Sequence, residues 1–223
     1  MIDKIYLTDT NVVVNYAEAF LKLNKKEELD FFQKISVDFW SRCGNQTLIP
    51  SIVWAEFLGV WYQKKIDLNS YDFWFQKQYS VYEKLYYDFK QKKVAMPDDS
   101  KMLYKNILSV AKNLTNKKFP LDFVDAEKKR LRNRRNPTVE QTENQIDKAK
   151  VLDGLDSVIV AYTFELARLL PTKQIVLVTN DYPTIHFVNY FSNNKNQASE
   201  TGIIVPFNIV ASDVKSVLRQ QRQ

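Results

Sequence analysis

The chain of 223 residues is poor in the residue types that most often announce a metal or a cofactor. It holds one cysteine, Cys43, and one histidine, His186. A lone cysteine excludes an internal disulfide, so nothing here asks for an oxidising compartment. One Cys and one His cannot between them build a His/Cys zinc site. The four glycines, Gly44, Gly59, Gly154 and Gly202, are too widely spaced for G-x-G-x-x-G or G-x-x-x-x-G-K-[ST]. The two commonest phosphate loops are thereby excluded. Long apolar runs are missing too. The longest, Ser157 to Tyr162, falls far short of the roughly 20 residues that span a bilayer. The N-terminus is charged from Asp3 and lacks the apolar stretch of a signal peptide. These absences give the expectation of a cytoplasmic protein with no membrane partner. Lys and Arg exceed Asp and Glu by 32 to 26, a net charge of +6. That excess favours an acidic partner such as nucleic acid.

What is present alternates between two periodicities. Ile5-Tyr6-Leu7-Thr8 is a short apolar run ending at Asp9, which reads as a buried strand. A helix follows from about Val12, and a second from about Glu27 to Cys43. Thr47-Leu48-Ile49 is strand-like, and Pro50-Ser51 starts a helix, with Ser51 as its cap and Glu56 within it. Leu155 to Leu169 has one broad apolar face. Ile175-Val176-Leu177-Val178-Thr179 is a compact β-branched strand ending at Asn180-Asp181. A helix near Pro183–Phe191, a strand near Ile203–Val205 and a last helix from Ser212 complete the pattern. Strands alternating with helices indicate a single-domain α/β fold over 1–223, with a mainly parallel sheet flanked by helices. Between about Trp61 and Lys150 lies a helical insertion into that domain, with helices near Asn69–Lys93 and Asp98–Leu114 and a polar, charged stretch Lys117–Lys150 that breaks near Pro137. It contains an aromatic stretch, Tyr71–Phe89, which reads as the core of the insertion.

The chemistry follows from where the acids fall. In a parallel α/β sheet, ligands bind beyond the carboxyl ends of the strands. Asp9 and Asp181 end two strands, and Glu56 and Asp156 stand within the first two turns of two helices. All four can therefore meet at one edge. Singly, each has a plainer use: a turn or cap for Asp9 and Asp181, a solvated charge for Glu56, a dipole-matched first-turn acid for Asp156. Together they conflict as bare anions, because like charges raise each other's pKa. A divalent cation removes the conflict, and hard oxygen ligands favour Mg²⁺ or Mn²⁺. Such ions acidify a bound water and stabilise charge growing on phosphorus, which suits phosphodiester hydrolysis. A phosphatase with Asp9 as nucleophile is disfavoured, since the position two residues on is Asn11 rather than an acid.

Four stretches in order resemble the motifs of the PIN-domain nucleases: Tyr6-Leu7-Thr8-Asp9-Thr10-Asn11, Ile49-Pro50-Ser51-Ile52-Val53-Trp54-Ala55-Glu56, Leu155-Asp156-Ser157-Val158-Ile159-Val160-Ala161 and Leu177-Val178-Thr179-Asn180-Asp181. The resemblance implies a PIN-like, Rossmann-like fold and a metal-dependent endoribonuclease. It gives Asp9, Asp156 and Asp181 to the metal, adds Glu56 to the catalytic acids, and makes Asn11 and Thr179 supporting polar groups. Asp153, one turn before Asp156, is a further supporting acid. The family includes the toxins of bacterial toxin–antitoxin pairs, and most members cut RNA. RNA is thus the implied partner, with a small antitoxin protein and a homodimer as further expectations. The alternative, ranked second, is a catalytically inactive module of the same fold that binds nucleic acid or protein. Six basic residues in the eight positions 128–135, namely Lys128, Lys129, Arg130, Arg132, Arg134 and Arg135, form either a solvated helix face or a phosphate-contacting patch. His186 reads as structural, and Cys43 as buried and inert.

Overall fold

A computed structural model describes residues 3–24, 26–57, 59, 87, 152, 154–194 and 204–221. The expected insertion, with its aromatic stretch and the six basic residues 128–135, lies outside the described residues, apart from Tyr87, which is helical and exposed. Asp153 also lies outside them.

Strand β1 (Lys4–Thr8) buries its last three residues, as its apolar run requires. Helix α1 (Thr10–Asn24) starts at once, because the Asp9 carbonyl accepts from the amides of Val12 and Val13. Helix α2 (Phe31–Cys43) begins four residues later than expected. The reason is a capping box. The Asp30 carboxylate accepts from the Gln33 amide at 2.9 Å, and the Gln33 side chain accepts from the Asp30 amide at 3.1 Å. Strand β2 (Thr47–Leu48) is short. Residues 51–57 are helical (α3), and the Trp54 amide donates to the Pro50 carbonyl. Ser51 thus stands inside the first turn rather than capping it. Helix α4 (Gly154–Leu169), strand β3 (Gln174–Val178) and helix α5 (Tyr182–Asn193) follow the expected pattern.

Of the expected strand at Ile203–Val205, the described residues Ile204 and Val205 carry no strand, and Ile204 is 76% exposed; Ile203 lies outside the described residues. The last strand, β4, is Ile209–Ser212. Pro206 has no amide to give a ladder and holds the residue before it away from helical angles. Asn208 then fixes where pairing begins. Its Nδ2 lies 2.8–3.0 Å from the carbonyls of Ala167, Leu170 and Lys173, and its own carbonyl accepts from the Ile175 amide. The final helix, α6 (Val214–Gln220), is capped by Asp213 rather than starting at Ser212.

The four strands form one all-parallel sheet in the order β2-β1-β3-β4. Helices α1 and α2 pack on each other, α6 packs on α2, α4 on β3 and α5 on β4. This is an α/β architecture of Rossmann-like type. Its core includes Tyr6, Leu7, Val13, Phe39, Val53, Phe164, Leu177 and Phe187, all nearly inaccessible. Burying each such side chain contributes about 1.5–3 kcal/mol. The β4 edge is covered by α5. The Asn189 side chain donates to the Ala211 carbonyl and accepts from the Ala211 amide, both at 2.8 Å, as a neighbouring strand would. No helix among the described residues is long and apolar enough to cross a membrane.

Candidate functional site

The strand order locates the crevice. The chain leaves β1 for β2 on one side and later fills β3 and β4 on the other, so the order reverses between β1 and β3. At such a switch point, crossovers of one hand diverge to opposite faces and leave a cleft at the carboxyl ends. The register ends the strands level there: Thr8 pairs with Val178, which pairs with Ser212. Asp9, Thr179 and Asp213 come next, and the Asp9 amide donates to the Val178 carbonyl at 3.0 Å.

Three acids therefore sit just past strands β1, β3 and β4, each before a helix. Two of them are caps. Asp181 Oδ2 accepts from the Thr184 amide at 2.9 Å and its hydroxyl at 2.7 Å. Asp213 does the same for Ser216, through both carboxylate oxygens. Asp9 differs. Its Oδ2 accepts from Asn11 Nδ2 and Thr179 Oγ1, both at 2.6 Å, and its Oδ1 from the Thr10 amide at 2.6 Å. The carboxylate is thus turned across the switch point toward β3.

Around it a closed polar network forms. Thr179 Oγ1 accepts from Asn11 Nδ2 at 3.2 Å and from the Asp181 amide at 3.0 Å. Asn11 Oδ1 accepts from the Asn180 amide at 3.2 Å. Thr10 Oγ1 donates to Glu56 Oε2, tying the start of α1 to α3. Asp9 is only 7% exposed. Burial raises its pKa above the usual carboxylate value; the Thr179 and Thr10 donors pull it back, and the charges of Glu56 and Asp181 push it up again.

The structure thus brings Asp9, Glu56, Asp181, Asn11 and Thr179 into one electrostatic and hydrogen-bonded unit. Asp156 lies half-buried in the first turn of α4. Helix α4 runs into β3 and packs on it, so its first turn stands at the same carboxyl edge of the sheet. Among the described residues, no three His, Cys, Asp or Glu side chains form a group that could hold a metal ion. Each of the three acids in the unit accepts hydrogen bonds: Asp9 from Thr10, Asn11 and Thr179, Glu56 from Thr10, and Asp181 from Thr184. In donor chemistry the unit fits Mg²⁺ or Mn²⁺: carboxylate, hydroxyl and amide oxygens, with neither imidazole nor thiol among them.

Sequence reasoning missed Thr10 and Asp213. Asp213 was hidden because its strand was misplaced. Thr10 carried no signal, since its partner lies 46 residues away. Cys43 is buried against Tyr6, and burial raises its thiol pKa, so it is a poor nucleophile. No family model matches the chain, and no curated protein or solved structure matches it either.

Proposed function

We propose that the chain is a PIN-like, metal-dependent endoribonuclease with its active site at the β1/β3 switch point. The observation that carries this reading is Asp9: a buried carboxylate shared between the start of α1 and Thr179 past β3, under the charge of two further acids. A buried anion surrounded by like charge is costly without a counter-ion. Asp9, Asp156 and Asp181 are the residues to hold Mg²⁺ or Mn²⁺. The ion would supply a water of lowered pKa and offset charge growing on phosphorus. Glu56 would orient that water for in-line attack. Asn11 and Thr179 keep the Asp9 carboxylate facing the cleft, since both donate to its Oδ2. Attack breaks the bond from phosphorus to the 3′ oxygen and leaves a 5′-phosphate and a 3′-hydroxyl. The basic segment 128–135 would contact the RNA backbone, and a toxin role with a small antitoxin partner belongs to the same reading.

The test is cleavage of single-stranded and structured RNA with Mn²⁺ or Mg²⁺, comparing wild type with Asp9→Asn and Asp156→Asn. The expected result is metal-dependent cleavage by wild type alone. Equal cleavage by all three proteins would end the proposal.

A second reading has its own support. The capping bonds of Asp181, and the lack of a three-acid group among the described residues, suit a catalytically inactive module that binds nucleic acid or protein. Wild type that binds RNA without any divalent ion, and never cuts it, would favour that reading.

A further inference from the structure

We propose that Thr10 is a positioning residue that holds the Glu56 carboxylate beside Asp9 for cation binding. The inference rests on the metal-dependent reading above and deepens it. Thr10 is the first residue of α1 and is 7% exposed. A threonine there ordinarily turns its hydroxyl to nearby backbone or to water. This one reaches 46 residues along the chain, and its Oγ1 donates to Glu56 Oε2. Its amide meanwhile donates to Asp9 Oδ1 at 2.6 Å. One residue therefore grips both carboxylates, one with its backbone and one with its side chain.

Such a grip opposes a definite force. Glu56 and Asp9 repel each other, and the Glu56 charge is felt at Asp9. Without the hydroxyl, Glu56 is free to swing toward solvent, where an anion is better hydrated. A cation arriving at Asp9 would then have to recover it at the expense of side-chain freedom. Groups that orient metal ligands in this way commonly change affinity by about 10–100-fold when removed. Asn11 plays the matching part on the β3 side, holding Asp9 against Thr179.

The experiment is a Mn²⁺ titration by calorimetry and thermal melting, with no RNA present, on wild type, Thr10→Val, Thr10→Ser, Glu56→Gln and the Thr10→Val/Glu56→Gln double variant. Valine keeps the shape and removes the hydroxyl; serine keeps the hydroxyl. The expected result is about a tenfold or larger loss of Mn²⁺ affinity in Thr10→Val. Thr10→Ser should stay close to wild type. Thr10→Val should cost nothing further once Glu56 is already Gln, because the threonine acts through that carboxylate. Should the valine variant not fold, Thr10→Ala carries the same titration. Undiminished affinity without the hydroxyl, or an equal loss in the Gln background, overturns the role of Thr10 alone. A wild type that binds no Mn²⁺ overturns the metal-dependent reading and this proposal together.

Discussion

Asp9, Asp181 and Asp213 all follow a parallel strand and precede a helix, yet their carboxylates do different things. Asp181 and Asp213 cap the helices they introduce. Asp9 gives one carboxylate oxygen to the Thr10 amide, meets the amides of Val12 and Val13 with its backbone carbonyl, and points its other oxygen at Thr179 and Asn11. That difference is a matter of a few torsions and of partners far away in the sequence. The motif of Thr8-Asp9 and Thr179-Asn180-Asp181 was legible from short apolar runs ending in acids. Which acid caps and which faces the cleft was not, because every residue three positions on offers the same backbone amide, and the partner that draws Asp9 away, Thr179, lies 170 residues along the chain.

The raised pKa of Asp9 has a consequence for stability. A carboxyl whose folded pKa lies above its unfolded value holds its proton more tightly when folded. Its contribution is present at pH below the unfolded pKa and is lost as pH rises through the folded one. In the absence of metal, Asp9→Asn should therefore gain stability relative to wild type as pH rises across that window, read from denaturant midpoints. Mn²⁺ must displace the same proton, so the rise in melting temperature that it produces should grow with pH through the window and then level off. A Mn²⁺ effect that shrinks as pH rises there would contradict the assignment of Asp9 as ligand.

At the scale of elements, Asp181 has two duties that substitution can separate. It caps α5 through Thr184 and adds its charge to the Asp9 site. Serine caps about as well as aspartate but carries no charge. Asp181→Ser should leave metal-free stability within about 0.5 kcal/mol of wild type, whereas Asp181→Ala should cost about 1 kcal/mol. Both should weaken the Mn²⁺ response. A serine variant with a full Mn²⁺ response would reduce Asp181 to a cap.

Strand β4 is the element the sequence concealed. Ile203-Ile204-Val205 is the tighter apolar run, but among the described residues pairing starts after Pro206, where Asn208 gathers three carbonyls from the end of α4 and the turn after it. Polar anchoring of this kind leaves no periodic trace. The outward side of β4 is closed by Asn189, again a long-range polar contact. Asn189→Ala removes two hydrogen bonds and bares a strand edge. It should cost about 2 kcal/mol in chemical unfolding and raise the tendency to associate, read by light scattering. Unchanged stability would show that water satisfies Ala211 equally well.

For the whole molecule, the decisive feature is the strand order β2-β1-β3-β4. Alternating periods were enough to expect an α/β chain with a parallel sheet, since helical and strand patterns differ in the sequence itself. The order of the strands is not written locally. It follows from which crossovers pack, and it brings Asp9 against Thr179 across 170 residues. The switch point between β1 and β3 turns two separate strand ends into one cleft. Glu56 on α3, whose carboxylate accepts from Thr10, then adds its charge to the Asp9 side of that cleft.

The most direct measurement is a crystal structure grown with Mn²⁺ and recorded at the manganese absorption edge. The account predicts an anomalous peak in the β1/β3 cleft, in contact with an Asp9 carboxylate oxygen. A peak elsewhere on the protein, or none at saturating Mn²⁺, would contradict it.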